Sequence, residues 1–245
     1  DGDPIWPGRA PAKRTMVRDE SHYHGPGALT SRGGYHSADD SIEMSLQGST
    51  QCDALGHVWY DGLLYNGYDA ATTIGGLDRA SVAPLGERGI VGRGVLLGEA
   101  IELADLLGCA EAQDLRIEPR DILLIRTNFL QRYYDLGPQR FYDGFIEPGL
   151  VYSPELVEWF AAMEIPNLVT DSIANERTVH EASGVALVLH NALMRNLGVV
   201  FTELCDLESL AAACADDARY AFMYVAAPLK VARATGSPVN PVAIR

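Results

Sequence analysis

Residues 41–47 alternate cleanly, with Ile42, Met44 and Leu46 apolar and Ser41, Glu43, Ser45 and Gln47 polar. A period of two over that length predicts a strand with one buried face. The strand runs into a turn rich in Gly, Ser and Thr, which delivers Gln51, Asp53 and His57 in quick succession. In extended backbone, positions two apart point the same way, so Gln51 and Asp53 face one pocket. The same spacing equally suits a polar loop after an edge strand, with Asp53 as a turn former.

Further along, apolar runs at 89–97, 121–127, 167–171, 199–204 and 220–225 predict buried strands. Helical patterns lie between them. Glu99 to Leu107 is amphipathic, with Ile101, Ala104 and Leu107 on one face and Gly108 at its end. Ser153-Pro154 reads as an N-cap followed by Pro at the first helical position, opening a helix to about Met163. The strongest helix runs from Ser183 to Leu197, closes on Gly198, and aligns Leu187, His190, Met194 and Leu197 on its inner face. Asp206 caps a last Ala-rich helix to about Cys214. Residues 1–40, rich in Pro, Gly, Arg and His, predict an irregular N-terminal arm over the domain or a neighbouring subunit, leaving 41–245 as the domain proper. Residues 128–148 are aromatic and irregular, with Phe129, Tyr133, Tyr134, Phe141, Tyr142 and Phe145, and predict a lid.

Composition narrows the classes. The chain has 245 residues, 47% of them hydrophobic and 21% charged, which suits one large globular domain without disulfide help. A net charge of −14 argues against nucleic-acid or anionic-membrane partners. Cys52, Cys109, Cys205 and Cys214 form no CxxC pair and read as small buried hydrophobes. No signal peptide and no run of 18 apolar residues is visible, so a soluble cytoplasmic protein is expected. There is no dinucleotide-binding glycine fingerprint, no P-loop and no Gly-x-Ser-x-Gly elbow.

Polar residues on apolar faces carry the candidate chemistry. Glu203 lies on the same side of its strand as Val199 and Phe201, where a carboxylate is costly unless paired or metal-bound. His190, alone on an apolar helix face, reads as a core histidine until Glu203 is set beside it. Inward-pointing His and Glu on adjacent elements suggest a site. Arg126 ends an apolar strand and needs a partner, either a structural carboxylate or a substrate. Asp171 and Glu176 leave a strand into a loop, as helix caps or as site residues. Trp59, Tyr60 and Tyr65, in the loop 58–68, suit either an aromatic pocket or a hairpin with aromatic cross-strand pairs.

The stretch Gln47-Gly48-Ser49-Thr50-Gln51-Cys52-Asp53-Ala54-Leu55-Gly56-His57 resembles the motif His-x-Gly-Thr-His-x-Asp-x-Pro-x-His of the cyclase family, which includes bacterial kynurenine formamidases and isatin hydrolases. Thr50, Asp53 and His57 keep their places. Gln47 and Gln51 stand where the family has two metal-binding His, Ser49 replaces Gly, and Leu55 replaces Pro. Similar segments continue through Gly89 to Leu97, through His190 and Glu203, and into the tail Gly236 to Pro241, so the resemblance covers about residues 41–245. It implies an α/β protein of the swivelling β/β/α type, a mixed β-sheet core with flanking helices, assembled as a dimer or tetramer. It also implies a metal shell of Gln47, Gln51, Asp53, His190 and Glu203, with His57 as acid/base, Asp53 and His190 also at the reaction centre, and Trp59, Tyr60 and Tyr65 facing a small-molecule substrate. Arg126 joins the substrate-binding candidates on its own position alone.

Two amide oxygens in place of two imidazoles weaken the shell and favour hard ions such as Mn²⁺ or Mg²⁺ over Zn²⁺. A bound Mn²⁺ or Zn²⁺ and an empty shell are both compatible with the two Gln. Three functions follow. The first is metal-assisted hydrolysis of an amide, lactam or related acyl bond in a small aromatic molecule, by an arylformamidase-like enzyme. The second is a metal-free acid/base cyclase or dehydratase built on His57, Asp53, His190 and Glu203. The third is a non-catalytic binding protein, against which the joint presence of those four residues counts.

Overall fold

The computed structural model describes residues 6–98, 101–143 and 147–245. Its arm is more regular than its composition predicts. Strand β1 (Lys13–Arg18) pairs antiparallel with β2 (Asp39–Glu43) in a separate two-stranded ribbon. The strand expected over 41–47 therefore stops at Glu43, and its apolar face is not buried: Ile42 is 65% exposed. Alternation specified the strand, but its neighbour is the arm and not the core.

The body is a mixed eight-stranded sheet with flanking helices, in keeping with the α/β architecture the resemblance implies. Strand β3 (Gln51–Asp53) follows the arm, and helix α1 (Ala83–Arg88) leads into β4 (Ile90–Leu97). Helix α2 (Leu103–Ala112) connects to β5 (Ile122–Ile125), starting and ending later than expected, because Glu102 and Asp105 form its N-terminal box. Glu99 and Phe145 lie outside the described residues. The segment expected to be an irregular lid is helical, as α3 (Phe129–Leu136) and α4 (Pro138–Phe141), and buries Phe129, Tyr133 and Phe141 together. Helix α5 (Pro154–Ala162) starts as predicted, with the Ser153 side chain accepting from the Leu156 N–H. Then come β6 (Asn167–Thr170), a helix at 188–197, β7 (Val200–Glu203), α6 (Glu208–Asp217), β8 (Ala221–Ala226), β9 (Gly236–Pro238) and β10 (Val242–Ile244).

The strand order is β10-β8-β4-β5-β6-β7-β3-β9. Strands β4 to β7 are mutually parallel, while β3, β8, β9 and β10 pair antiparallel with their neighbours. Alternation divides the sheet into two cores. Leu97, Leu123, Ile125, Leu168 and Phe201 pack under α2, α5 and the helix 188–197, while Cys52, Leu124, Val169, Phe222 and Tyr224 fill the other face. Cys52, Cys205 and Cys214 are buried and all four cysteines are free, as expected of small hydrophobes. Among the described residues, no helix is long and apolar enough to cross a membrane.

The helix carrying His190 departs most from expectation. It begins at 188 and not at Ser183, and it is wound as a π-helix over His190–Arg195. Its first N–H groups are satisfied from outside the helix: Glu176 accepts from the Leu189 and His190 amides at 2.7 Å each. The wide turn also shifts the inner face to His190, Leu193 and Met194 and leaves Leu197 38% exposed.

Candidate metal centre and acid/base site

Strand β3 sits between β7 and β9, so both its edges are paired. Antiparallel register sets Gln51 opposite Glu203 and Pro238, and Asp53 opposite Gly236. Gln51 and Asp53 share one face, with Cys52 on the other, as the period of two predicts. Glu203 shares the Phe201 face and is buried, as is His190. The Asp53 and Glu203 carboxylates and the His190 imidazole each bring a ligand-capable atom within 4.8 Å of the others. Sheet register and one helix thus converge three residues spread over 150 positions of chain.

Hydrogen bonds orient this cluster. Glu176 Oε1 lies 2.7 Å from His190 Nδ1, which turns Nε2 toward Glu203, 3.5 Å from Oε1. A carboxylate behind a histidine in this way fixes the ring and leaves its other nitrogen as a ligand. Gln51 Nε2 donates to Glu203 Oε2 at 2.7 Å, and Asn175 Nδ2 donates to Oε1 at 3.3 Å. His57, a quarter exposed, closes the solvent side with Nε2 4.0 Å from Asp53 Oδ2. Gln47 Nε2 donates to Thr235 Oγ1 at 3.0 Å, and the Gln47 backbone carbonyl accepts from the Arg9 side chain of the arm. Glycine at 236 leaves room for this packing: a Cβ there would stand 2.6 Å from Gln47 Nε2 and 3.0 Å from Asp53 Oδ1, so Gln47 would have to shift.

The charges do not balance internally. Asp53, Glu176 and Glu203 are buried against one imidazole. Both Asp53 oxygens, Gln51 Oε1 and Asn175 Oδ1 are buried without a hydrogen-bond partner. Burial, then the Asp53 charge, raises the Glu203 pKa against the opposing pull of His190. For His190 burial acts to lower the pKa, but the bonds to Glu176 and Glu203 override it and raise it. An excess of buried acceptors and negative charge fits a divalent cation, and the donor set of two carboxylates, one imidazole and neutral amide oxygens fits a hard one.

The remaining candidates divide. Arg126 pairs with Glu208, its Nη1 3.1 and 3.2 Å from the two carboxylate oxygens, with both side chains a third exposed. Of the two expectations for Arg126, the structure supplies the ion pair. Tyr60 donates to Asn196 Oδ1 at 2.9 Å and carries the Arg195 guanidinium 4.3 Å above its ring, while Tyr65 packs against Gly198. The aromatic loop is thereby stapled to the end of the His190 helix, with Trp59 46% exposed beside it. Asp171 is a structural cap: it accepts from Thr127 N and Oγ1 and from Phe129 N, all within 3.0 Å. A cavity of about 250 Å³ borders Glu176, with Tyr152, Arg177 and His180 in its wall, but Asp53, His57, His190 and Glu203 do not line it. The converging side chains, not that cavity, form the candidate site.

Sequence reasoning missed Asn175 and Glu147. Asn175 sits in a loop, where no periodicity assigns a direction. Glu147 lies in the segment read as a lid, yet it is buried, accepting from Ala174 N at 2.8 Å and from Thr178 Oγ1 at 2.6 Å. Burial pushes its carboxyl up to about 7 from an ordinary 4.5, with these hydrogen bonds opposing. A folded-state pKa above the unfolded one gives stability that is full below pH 4.5 and is lost as pH rises through 7. The loss is about 3 kcal/mol. Urea midpoints at pH 5 and pH 8 are expected to differ less in Glu147→Gln than in the parent, since Gln keeps both partners and cannot ionise. An unchanged difference would remove Glu147 as its source.

Residues 1–177 match the sequence profile of the Cyclase family. Over its whole length the chain is 35% identical to a novel cyclase of known crystal structure, covering 85% of that chain with a TM-score of 0.88. It also resembles isatin hydrolase A from Labrenzia aggregata bound to benzyl benzoate, at 20% identity and TM-score 0.62, covering 100% of this chain and 90% of that one. A protein from Bacillus stearothermophilus described as a predicted metal-dependent hydrolase matches at 18% identity and TM-score 0.54, with coverage of 98% and 94%. At these last two identities the likeness carries the fold. No curated protein matches significantly.

Proposed function

Because this chain belongs to the Cyclase family, we propose that it is a hydrolase that cleaves an amide, lactam or related acyl bond of a small aromatic molecule at the Asp53–His190–Glu203 cluster. The observation that carries this reading is the pair of buried, partnerless Asp53 oxygens within ligand-sharing distance of His190 and Glu203. Asp53, His190 and Glu203 would hold a divalent cation, with Gln47 and Gln51 as the neutral oxygen donors that would complete its shell. Amide oxygens in place of imidazoles would lessen the ordinary advantage of Zn²⁺ over Mn²⁺. When bound, the cation supplies Lewis acidity toward the scissile carbonyl and makes the attacking water more acidic. His57 would take the proton of the attacking water and return it to the leaving nitrogen, a role supported by its partial exposure and by Nε2 lying 4.0 Å from Asp53 Oδ2. Glu176 keeps His190 Nε2 directed at the centre. Trp59, Tyr60 and Tyr65 wall the substrate.

A second reading, a metal-free acid/base cyclase or dehydratase, draws on the Gln51 amide, whose N–H and not its oxygen faces Glu203. Elemental analysis of protein purified without chelator or polyhistidine tag separates the two. We expect about one ion per chain, lost in Glu203→Ala together with amidase activity. His57→Ala is expected to keep the ion and lose about 10²–10⁴-fold in kcat. Parent protein that holds no ion after soaking in Mn²⁺ and Zn²⁺ would leave the metal-free reading standing.

A further inference from the structure

Asn175 is fully buried, in left-handed backbone conformation (φ +57°). That conformation is strained for most side chains and best tolerated by Asn and Asp among those bearing a Cβ. Its carbonyl accepts from the Leu150 amide at 3.1 Å, so an adjoining segment holds its position. Its Nδ2 lies 3.3 Å from Glu203 Oε1, the oxygen that also faces His190 Nε2 at 3.5 Å. Its Oδ1 is buried without a partner. Gln51 does the same at the other Glu203 oxygen, with Nε2 engaged and Oε1 partnerless. Around Glu203, then, two amides are each satisfied at one end only. A buried amide oxygen without a partner is costly. Asn191 is left in the same way, and what sets Asn175 and Gln51 apart is that both flank Glu203 beside the Asp53 carboxylate and His190.

Oxygen and nitrogen of a terminal amide exchange places by a half-turn, with almost no change in the space filled. We propose that Asn175 is a direct oxygen ligand of a divalent cation held by Asp53, His190 and Glu203, its Oδ1 taking the place of Nδ2, and that with Gln51 it makes the shell oxygen-dominated and narrows the ordinary advantage of Zn²⁺ over Mn²⁺. Zn²⁺ favours nitrogen and sulfur donors in four-coordinate sites, whereas Mn²⁺ accepts more oxygens. This rests on the divalent-cation reading given above.

The test is calorimetric titration of the chelator-stripped full chain with MnCl₂ and with ZnCl₂, for the parent, Asn175→Gly and Asn175→Asp. Glycine deletes the amide while suiting the left-handed backbone, and circular dichroism without metal checks that both variants fold. Asn175→Gly is expected to weaken Mn²⁺ binding at least tenfold and Zn²⁺ binding less, widening the advantage of Zn²⁺ over Mn²⁺. Asn175→Asp, with an anionic oxygen at the same place, is expected to bind Mn²⁺ at least as tightly as the parent. Parent-like Mn²⁺ binding in Asn175→Gly overturns the assignment while leaving the cation reading intact. Equal losses for both ions without rescue by Asp assign Asn175 a structural role and overturn it too. A parent that binds neither ion overturns the cation reading itself.

Discussion

Asp53→Asn is expected to weaken divalent-cation binding at least 100-fold, abolish hydrolysis with it, and yet make the chelator-treated protein more stable than the parent. Asp53 is 1% exposed, neither carboxylate oxygen has a hydrogen-bond partner, and its charge raises the pKa of neighbouring Glu203. A buried carboxylate with an unfavourable neighbour costs several kcal/mol unless a cation offsets it. Asparagine removes the charge at nearly constant volume and brings an N–H₂ that can donate to Glu203, so a gain of about 1–3 kcal/mol follows. Denaturation in chelator and in Mn²⁺ measures both arms. The variant is expected to be more stable in the first and less stable in the second. A variant weaker than the parent in chelator would mean that the Asp53 oxygens serve the fold, and the cluster would lose its claim to a cation.

Gly149→Ala, at a position far from the cluster in sequence, is expected to cost about 3 kcal/mol or more, beyond the usual range for overpacking. A Cβ at residue 149 would stand 2.7–2.8 Å from the backbone N, Cα and C of Glu176. Flexible side chains yield to such contacts, but backbone held on both sides does not. Here Leu150 donates to Asn175 O and accepts from Arg177 N, which fastens the two segments like a short strip of sheet. Relief must come from moving Glu176, which caps the helix 188–197 and orients His190. Thermal and urea midpoints measure the stability, and Mn²⁺ titration of the folded fraction measures the cluster. A midpoint within about 0.5 kcal/mol of the parent, the range of an ordinary surface substitution, would show that this contact relaxes freely.

Both predictions draw on residues of unequal legibility. Glu203 is legible because strands have a fixed period, and a carboxylate in phase with apolar neighbours stands out at once. Asp53 has no such phase, and only its place in the family motif separates it from a turn former. Ser153-Pro154 was equally plain, because capping chemistry is local. Glu176 was recognised as a loop carboxylate but not as the group behind His190, since that contact joins segments 14 residues apart through a turn of irregular backbone. Asn175 and Glu147 gave no signal, because their burial depends on segments that meet only in the folded chain. The ribbon of β1 and β2 misled for the opposite reason. Its alternation is genuine, but period alone cannot say whether a face meets the core, and Ile42 meets none of it.

The π-wound turn at His190–Arg195 bears on how chains of this kind are compared. A π-turn holds one residue more than the α-turn it replaces and commonly marks a functional site. Between His190 and Glu203 the extra residue is taken up inside the helix, so the spacing of the two along the chain can lengthen by one while their separation in space does not. Leu197, inward by the 3.6-residue rule and outward in the fold, records the resulting slip of phase. An alignment that forbids gaps within helices would place either the histidine or the glutamate one position out, and would report a missing ligand where none is missing.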